Sequence, residues 1–440
     1  MNGLVDATRA AVLTQPFGRL RAISGLTAKS SGPVLAMGAL CEVLHEDGRV
    51  HALAEVVAVH GRELTLMPFG EAHGLQVGAL VRPASLSHVV HAGPGLLGRV
   101  IDGLGKPLDG IPIPQGRDSL ALRARAPDAM ARPRIDRTLA TGVRCIDAML
   151  PLGHGQRVGI FAGSGVGKST LLGMMARHAQ ADYNVIALIG ERGREVREFI
   201  EDQLGAKGLA RSVVVVATSD QPAPMRVRAA YLAVSIAEGL RALGADVLLT
   251  MDSITRLAMA RREIGLSAGE PPTSRGYTPS VFTELPALCE RLGTQGGGGS
   301  ITGLLTVLVE GDDFNEPISD CLRATLDGHI VLARELAHQG HYPAVDVLKS
   351  SSRLLGDLLQ EDERRVVHRV RAGMALLARN RSMMEIGAYE KGSHAALDRA
   401  IAAEPALLSF LQQDREPADR SAALAQVAAL ASQFDGESDA

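Results

Sequence analysis

The sequence predicts an α/β protein with a mostly parallel sheet at its centre, a small β-barrel before it and a helical domain after it. Three observations carry this expectation. The stretch Phe161-Ala-Gly-Ser-Gly-Val-Gly-Lys-Ser-Thr170 sits between an apolar run and a helical pattern. From Arg157 to Ala333 apolar runs alternate with helical segments, as in a sheet covered on both faces. Outside that region the pattern changes twice, to short broken apolar runs before it and to helical composition after Arg353.

In order, residues 1–17 read as a short helix with a polar lead. From Gly18, candidate strands are Arg19–Ile23, Ala39–Leu44, Ala52–Val59, Glu63–Met67 and Ala79–Arg82, with hairpin turns at Glu46-Asp-Gly48 and His60-Gly61. Strands this short and closely spaced suggest a barrel over 18–90. His91 to Arg134 is a connector rich in Gly and Pro. The central strands are expected at Arg157–Phe161, Asn184–Ile189, Ser212–Ala217, Asp246–Met251, Ile301–Val309 and His329–Ala333, with helices such as Met225–Leu243 between the earlier ones. Gln295-Gly-Gly-Gly-Gly-Ser300 reads as a turn. The helical end is expected as Leu354–Gln360, Glu361–Arg379, Ala395–Ala403, Pro405–Gln413 and Ala418–Phe434. The resulting division is 1–17, 18–90, 91–358 and 359–440.

Composition narrows the function classes. The 440 residues suffice for two or three domains, and a net charge of −3 offers no basic excess for nucleic acid. Aromatics are 3% with no Trp, and Phe69 is the sole aromatic of residues 18–88, which argues against a base-stacking face. Cys41, Cys145, Cys289 and Cys321 form no C-x-x-C pair, which fits a reducing compartment and no metal site. No leader peptide and no run of about 18 apolar residues is visible, so a cytosolic protein is expected.

The chemistry begins at the glycine-rich stretch. Strand, loop, Lys-Ser and helix form a P-loop. Gly163, Gly165 and Gly167 let the backbone N–H groups of the loop, with Ser164 and Val166, turn toward phosphate oxygens. Lys168 supplies a point charge, Ser169 a hydroxyl suited to Mg²⁺, and the helix start through Thr170 a partial positive charge. Ala162 replaces the usual first glycine, a small change. Val247-Leu-Leu-Thr-Met-Asp252 ends an apolar strand in a carboxylate that can hold Mg²⁺ through water. Glu191, after the next strand to the P-loop, is placed to polarise water or to pair with Arg192 or Arg194. Tyr342 is either a core residue or a platform for a base. Arg353, after three serines, is either solvated or an arginine finger for a neighbour's nucleotide.

Taken together these residues resemble the rotary ATPase family, over roughly residues 18–410. Pro343-Ala-Val-Asp-Val-Leu-Lys-Ser-Ser-Ser352 matches its P-[SA]-[LIV]-[DN]-x-x-x-S-x-S signature. Within the family the chain most resembles the flagellar protein-export ATPases, through Gly269-Glu-Pro-Pro-Thr-Ser-Arg-Gly-Tyr-Thr-Pro-Ser280 and Ile386-Gly-Ala-Tyr-Glu-Lys-Gly-Ser393; the virulence type III secretion ATPases are close relatives. The resemblance implies a RecA-like ATPase core and a homohexamer binding ATP and Mg²⁺. It implies that Glu191 activates water, Arg192 and Arg256 lie near the phosphates, Tyr342 stacks on adenine and Arg353 is a finger. It further implies a dimeric regulator on the N-terminal segment, a coiled-coil stalk, export chaperones with cargo, and a membrane export gate on the cytoplasmic face of the inner membrane. Non-catalytic chains of the family carry Gln where Glu191 stands. An ATP-synthase catalytic subunit, a Rho-like RNA translocase and a non-hydrolysing scaffold are the rival readings.

Overall fold

The computed structural model describes residues 16–70, 72–84, 89–91, 93–113, 119–309, 311 and 313–434. The helix expected in residues 1–17 and the tail 435–440 therefore lie essentially outside the described residues. The N-terminal region is a closed, six-stranded antiparallel barrel, in the order Gly18–Ser24, Thr27–Ser30, Glu63–Pro68, Val50–His60, Leu40–Leu44 and Leu80–Pro83. Leu20, Val43, Val56, Leu64, Leu66 and Val81 fill it. The expected strands are all present. Thr27–Ser30 was missed because Thr-Ala-Lys-Ser shows almost no apolar alternation; Ala28 and Ser30 point inward and the other two outward. Phe69 is buried.

The centre is a nine-stranded sheet. Its main path runs Val345–Ser352, Gly328–Leu332, Arg157–Ala162, Ser300–Leu308, Asp246–Asp252, Tyr183–Ile189, Ser212–Ala217 and Arg99–Asp102, with Gly293–Thr294 off that path. Neighbours are parallel except for the antiparallel Val345–Ser352 edge and the short Gly293–Thr294 strand. Strands such as Ser212–Ala217 are buried at every residue, which explains their unbroken apolar reading. The helix Ala223–Ala242 covers one face and buries 16 of its 20 residues.

Three expectations need correction. The connector is not all loop: Arg99–Asp102 forms the far edge of the sheet, and the Arg99 guanidinium is clamped by Asp109 at 2.7 Å. The segment before Arg353, for which no strand was expected, forms the strand Val345–Ser352, whose Lys-Ser-Ser-Ser end concealed it. Pro405 does not divide two helices; Ala395–Leu411 is continuous. An internal proline costs about 3 kcal/mol. Leu397, Leu407, Phe410 and Leu411 are buried on one stripe of that helix, at about 1.5–3 kcal/mol each, which outweighs it. This helix packs with Glu361–Glu385 and Arg420–Phe434 into the C-terminal helical region. No helix of the described residues is long and apolar enough to cross a membrane.

Candidate active site

Arg157–Ala162 lies inside the sheet, paired on both sides, and so forms a fixed rail for the loop that follows. The chain turns through Gly163–Gly167 and enters the helix Lys168–His178. Gly167 caps that helix at φ +83°, a left-handed conformation that glycine adopts freely. A side chain there would also lie 3.2 Å from the ring of Tyr342. Val166 is buried beneath the loop, while Gly163, Ser164, Gly165, Lys168, Ser169 and Thr170 face a cleft of about 770 Å³. Glu191, Arg192 and Arg256 line the same cleft. A slightly larger hollow on the barrel, about 830 Å³, lacks any phosphate-binding loop.

Lys168 Nζ forms an ion pair with Asp252 Oδ1 and lies 3.4 Å from Glu191 Oε1. Asp252 ends its strand almost wholly buried, and Thr306 Oγ1 donates to the same Oδ1 at 2.7 Å. Burial disfavours the Lys168 ammonium, yet Asp252 and Glu191 outweigh it and hold its pKa above the usual range. Burial pushes the Glu191 carboxyl up to about 7; the Asp252 charge adds to this and Lys168 opposes it. A carboxyl poised there can exchange a proton near neutrality. Glu191 therefore turns to Lys168, and the pairing with Arg192 or Arg194 is not made. Those arginines reach Glu195 instead, at 3.0 and 3.6 Å.

Arg192 is exposed at the cleft and caps the short helix Gly193–Glu198. Arg256 sits one turn into the helix Ile254–Ser267, its N–H bonded to Ser253 Oγ at 3.2 Å. Gly190 makes room for it, since a Cβ there would lie 2.8 Å from Arg256 Cβ.

The two ends of Val345–Ser352 separate the remaining candidates. Val345 pairs with Leu332, level with Ala162 and the P-loop, so Tyr342 stands at the phosphate end of its own chain. Tyr342 is 45% exposed and not a core residue. Ser352 pairs with Gly328, level with Val158, at the other end of the sheet. Arg353 follows it; between the two ends the neighbouring strand advances only from Leu332 to Gly328, about 13 Å, because the edge strand bulges between Asp346 and Ser351. Arg353 is exposed; its guanidinium donates to the carbonyl of Arg323 at 2.9 Å and, among the described residues, pairs with no carboxylate.

Sequence reading missed Thr306 and Arg334. Thr306 had a signal: a hydroxyl in the apolar run Ile301–Leu308, beside the strand carrying Asp252. Arg334, which also lines the cleft, follows the strand Gly328–Leu332 and had no local signal.

Residues 142–352 match the family model "ATP synthase alpha/beta family, nucleotide-binding domain", and residues 359–429 match "T3SS EscN ATPase C-terminal domain". The chain is 48% identical over 430 residues to the flagellum-specific ATP synthase of Bacillus subtilis, covering 97% of this chain and 98% of that protein.

The chain belongs to the ATP synthase alpha/beta family.

Within this family it is also 48% identical to a type 3 secretion system ATPase of Xanthomonas euvesicatoria, over 90% of each chain. Among solved structures it resembles the assembled ATPase EscN of the enteropathogenic E. coli type III secretion system, with a TM-score of 0.89, 41% identity, and coverage of 94% of this chain and 100% of that one. It also resembles EscN in complex with its central stalk EscO, with a TM-score of 0.86 and 40% identity over 94% of this chain and 100% of that one. As a member of this family the chain is an ATPase. The matched nucleotide-binding region contains the P-loop, Glu191, Asp252 and Tyr342; Arg353 is the next residue.

Proposed function

We propose that this ATPase hydrolyses MgATP to drive the export of flagellar proteins through a type III apparatus, as a homohexamer whose nucleotides lie between neighbouring subunits. The observation that carries the shared pocket is the pair of strand ends. Tyr342 lies beside the P-loop of its own chain, while Arg353 stands exposed after the opposite strand end, where its guanidinium meets only the Arg323 carbonyl among the described residues.

In this reading the loop N–H groups and Lys168 hold the β- and γ-phosphates, and Tyr342 stacks on the adenine. Lys168 leaves Asp252 and Glu191 to meet the phosphates. Ser169 and Asp252 offer the hard oxygen donors that suit Mg²⁺, which neutralises phosphate charge when bound. Glu191 accepts the proton of the water whose oxygen attacks the γ-phosphorus; the bond to the bridging oxygen breaks and ADP leaves. Arg192 and Arg256 steady the phosphates. Arg353 of the adjacent subunit offsets the charge that builds on the leaving group, a contribution of about 10³-fold or more in this reaction class. Residues 18–90 serve as the barrel collar of the ring, 91–358 as its RecA-like engine and 359–440 as its helical face. A central stalk, a regulatory dimer on residues 1–17, chaperones with cargo and a membrane gate complete the proposed assembly, at the cytoplasmic face of the inner membrane.

The test is phosphate release against protein concentration. Specific activity is expected to rise steeply as rings assemble; a flat profile across the monomer-to-ring transition removes the shared pocket. Loss of motility on deletion, restored by this chain and not by its Glu191→Gln variant, ties turnover to flagellar export.

A further inference from the structure

We propose that Gln413 is a positioning residue for the nucleotide base, fixing Tyr342 over the P-loop from the linker between the last two helices. The inference rests on the reading of Tyr342 as the stacking residue. The linker joins Ala395–Leu411 to Arg420–Phe434, and its residues 412 and 414–417 are exposed. Gln413 is half-buried, and its backbone N–H and both polar side-chain atoms are used. Its backbone N–H donates to the Tyr342 carbonyl at 2.9 Å. Its side-chain Oε1 accepts the Arg144 N–H at 2.7 Å. Its Nε2 donates to the carbonyls of Gly142 at 2.8 Å and Glu416 at 2.7 Å.

The anchor is stiff. Thr141 and Gly142 donate their N–H groups to the buried carboxylate of Asp147 at 2.7 and 2.9 Å. Gly142 stands at φ +79°, and a side chain there would lie 2.8 Å from His178 Cβ, at the far end of the P-loop helix. Gln413 thus spans a rigid loop on one side and the backbone of Tyr342 on the other. The Tyr342 residue is 45% exposed, so part of its surface has no protein packed against it. Without the amide, the backbone bond to residue 413 remains but its donor is no longer held in place, and the ring loses its fixed height above Gly167.

A double-mutant cycle tests this on the full chain, with KM for ATP, kcat and inhibition by tripolyphosphate as readouts. Gln413→Ala is expected to raise KM for ATP about five-fold, the loss of roughly one net hydrogen bond, with kcat within about two-fold. Inhibition by tripolyphosphate, which has no base, stays at the wild-type level. Tyr342→Ala raises KM further, and adding Gln413→Ala to it raises KM no more, because both act through one ring. Additive effects, an equal loss of tripolyphosphate binding, or a wild-type KM in Gln413→Ala overturns the inference while leaving Tyr342 as the stacking residue. A wild-type KM in Tyr342→Ala overturns both. Should the alanine variant fail to fold, Gln413→Glu keeps the acceptor for Arg144 and loses the two donors; the same cycle and the same outcomes apply to it.

Discussion

The phosphate end of the sheet and the far end of its edge strand are built on opposite terms. At the first, Lys168, Glu191 and Asp252 are largely buried and satisfy one another, with Thr306 completing the carboxylate. At the second, Arg353 stands exposed and donates to a single backbone carbonyl. A buried charge needs partners within its own chain, whereas an exposed arginine can wait for one. In the proposed ring, one region is finished by folding and the other by assembly.

The strongest way to break this comparison is to remove Arg353. Arg353→Ala is expected to cut turnover about 10³-fold with ATP binding retained. Glu191→Gln is expected to lose about 10²-fold or more, also with binding retained. Mixing the two inactive variants should restore part of the activity, since mixed rings contain pockets with Glu191 from one chain and Arg353 from the other. Phosphate release that stays at the level of the separate variants would assign both residues to a single chain.

Smaller effects sharpen the picture of the finished region. Glu191 is neutral below a pKa near 7 and accepts a proton only above it, so kcat/KM should fall tenfold per unit as pH drops below about 7. Mutation of Arg353 should leave that limb in place, whereas Glu191→Gln should abolish it. Thr306→Val removes the donor to Asp252 Oδ1 and is expected to cost about 1 kcal/mol of stability by thermal unfolding, with a few-fold loss of turnover. A wild-type melting profile in Thr306→Val would mean that Lys168 alone satisfies the carboxylate.

What could be read in advance follows the range of the interactions. The P-loop is local: strand, glycines, Lys-Ser and helix are consecutive, so their geometry is written in eight or ten neighbouring letters. The buried parallel strands announce themselves as apolar runs. Glu191 and Asp252 could be singled out because one follows and the other ends such a run. Val345–Ser352 was hidden because an edge strand carries a polar side, here Lys349 and three serines. Thr306 matters through a hydrogen bond across two neighbouring strands, and Gln413 through a backbone bond to a residue 71 positions earlier. Neither pattern has a period or a spacing. The unbroken helix through Pro405 went unread for the same reason, since the apolar surface that holds it together belongs to other helices.

The edge strand Val345–Ser352 also sets a length scale for the proposed ring. In that ring its two ends would lie at the base of one ATP and at the phosphates of the next, and the register shift between Asp346 and Ser351 puts a bulge between them. A residue inserted or deleted in the regularly paired ends would shift the register by about 3.3 Å, more than a hydrogen bond tolerates, whereas the bulge between Asp346 and Ser351 can absorb a change in length. Adjacent sites in such a ring would be tied through one edge strand, and its bulge is the place where that tie can yield.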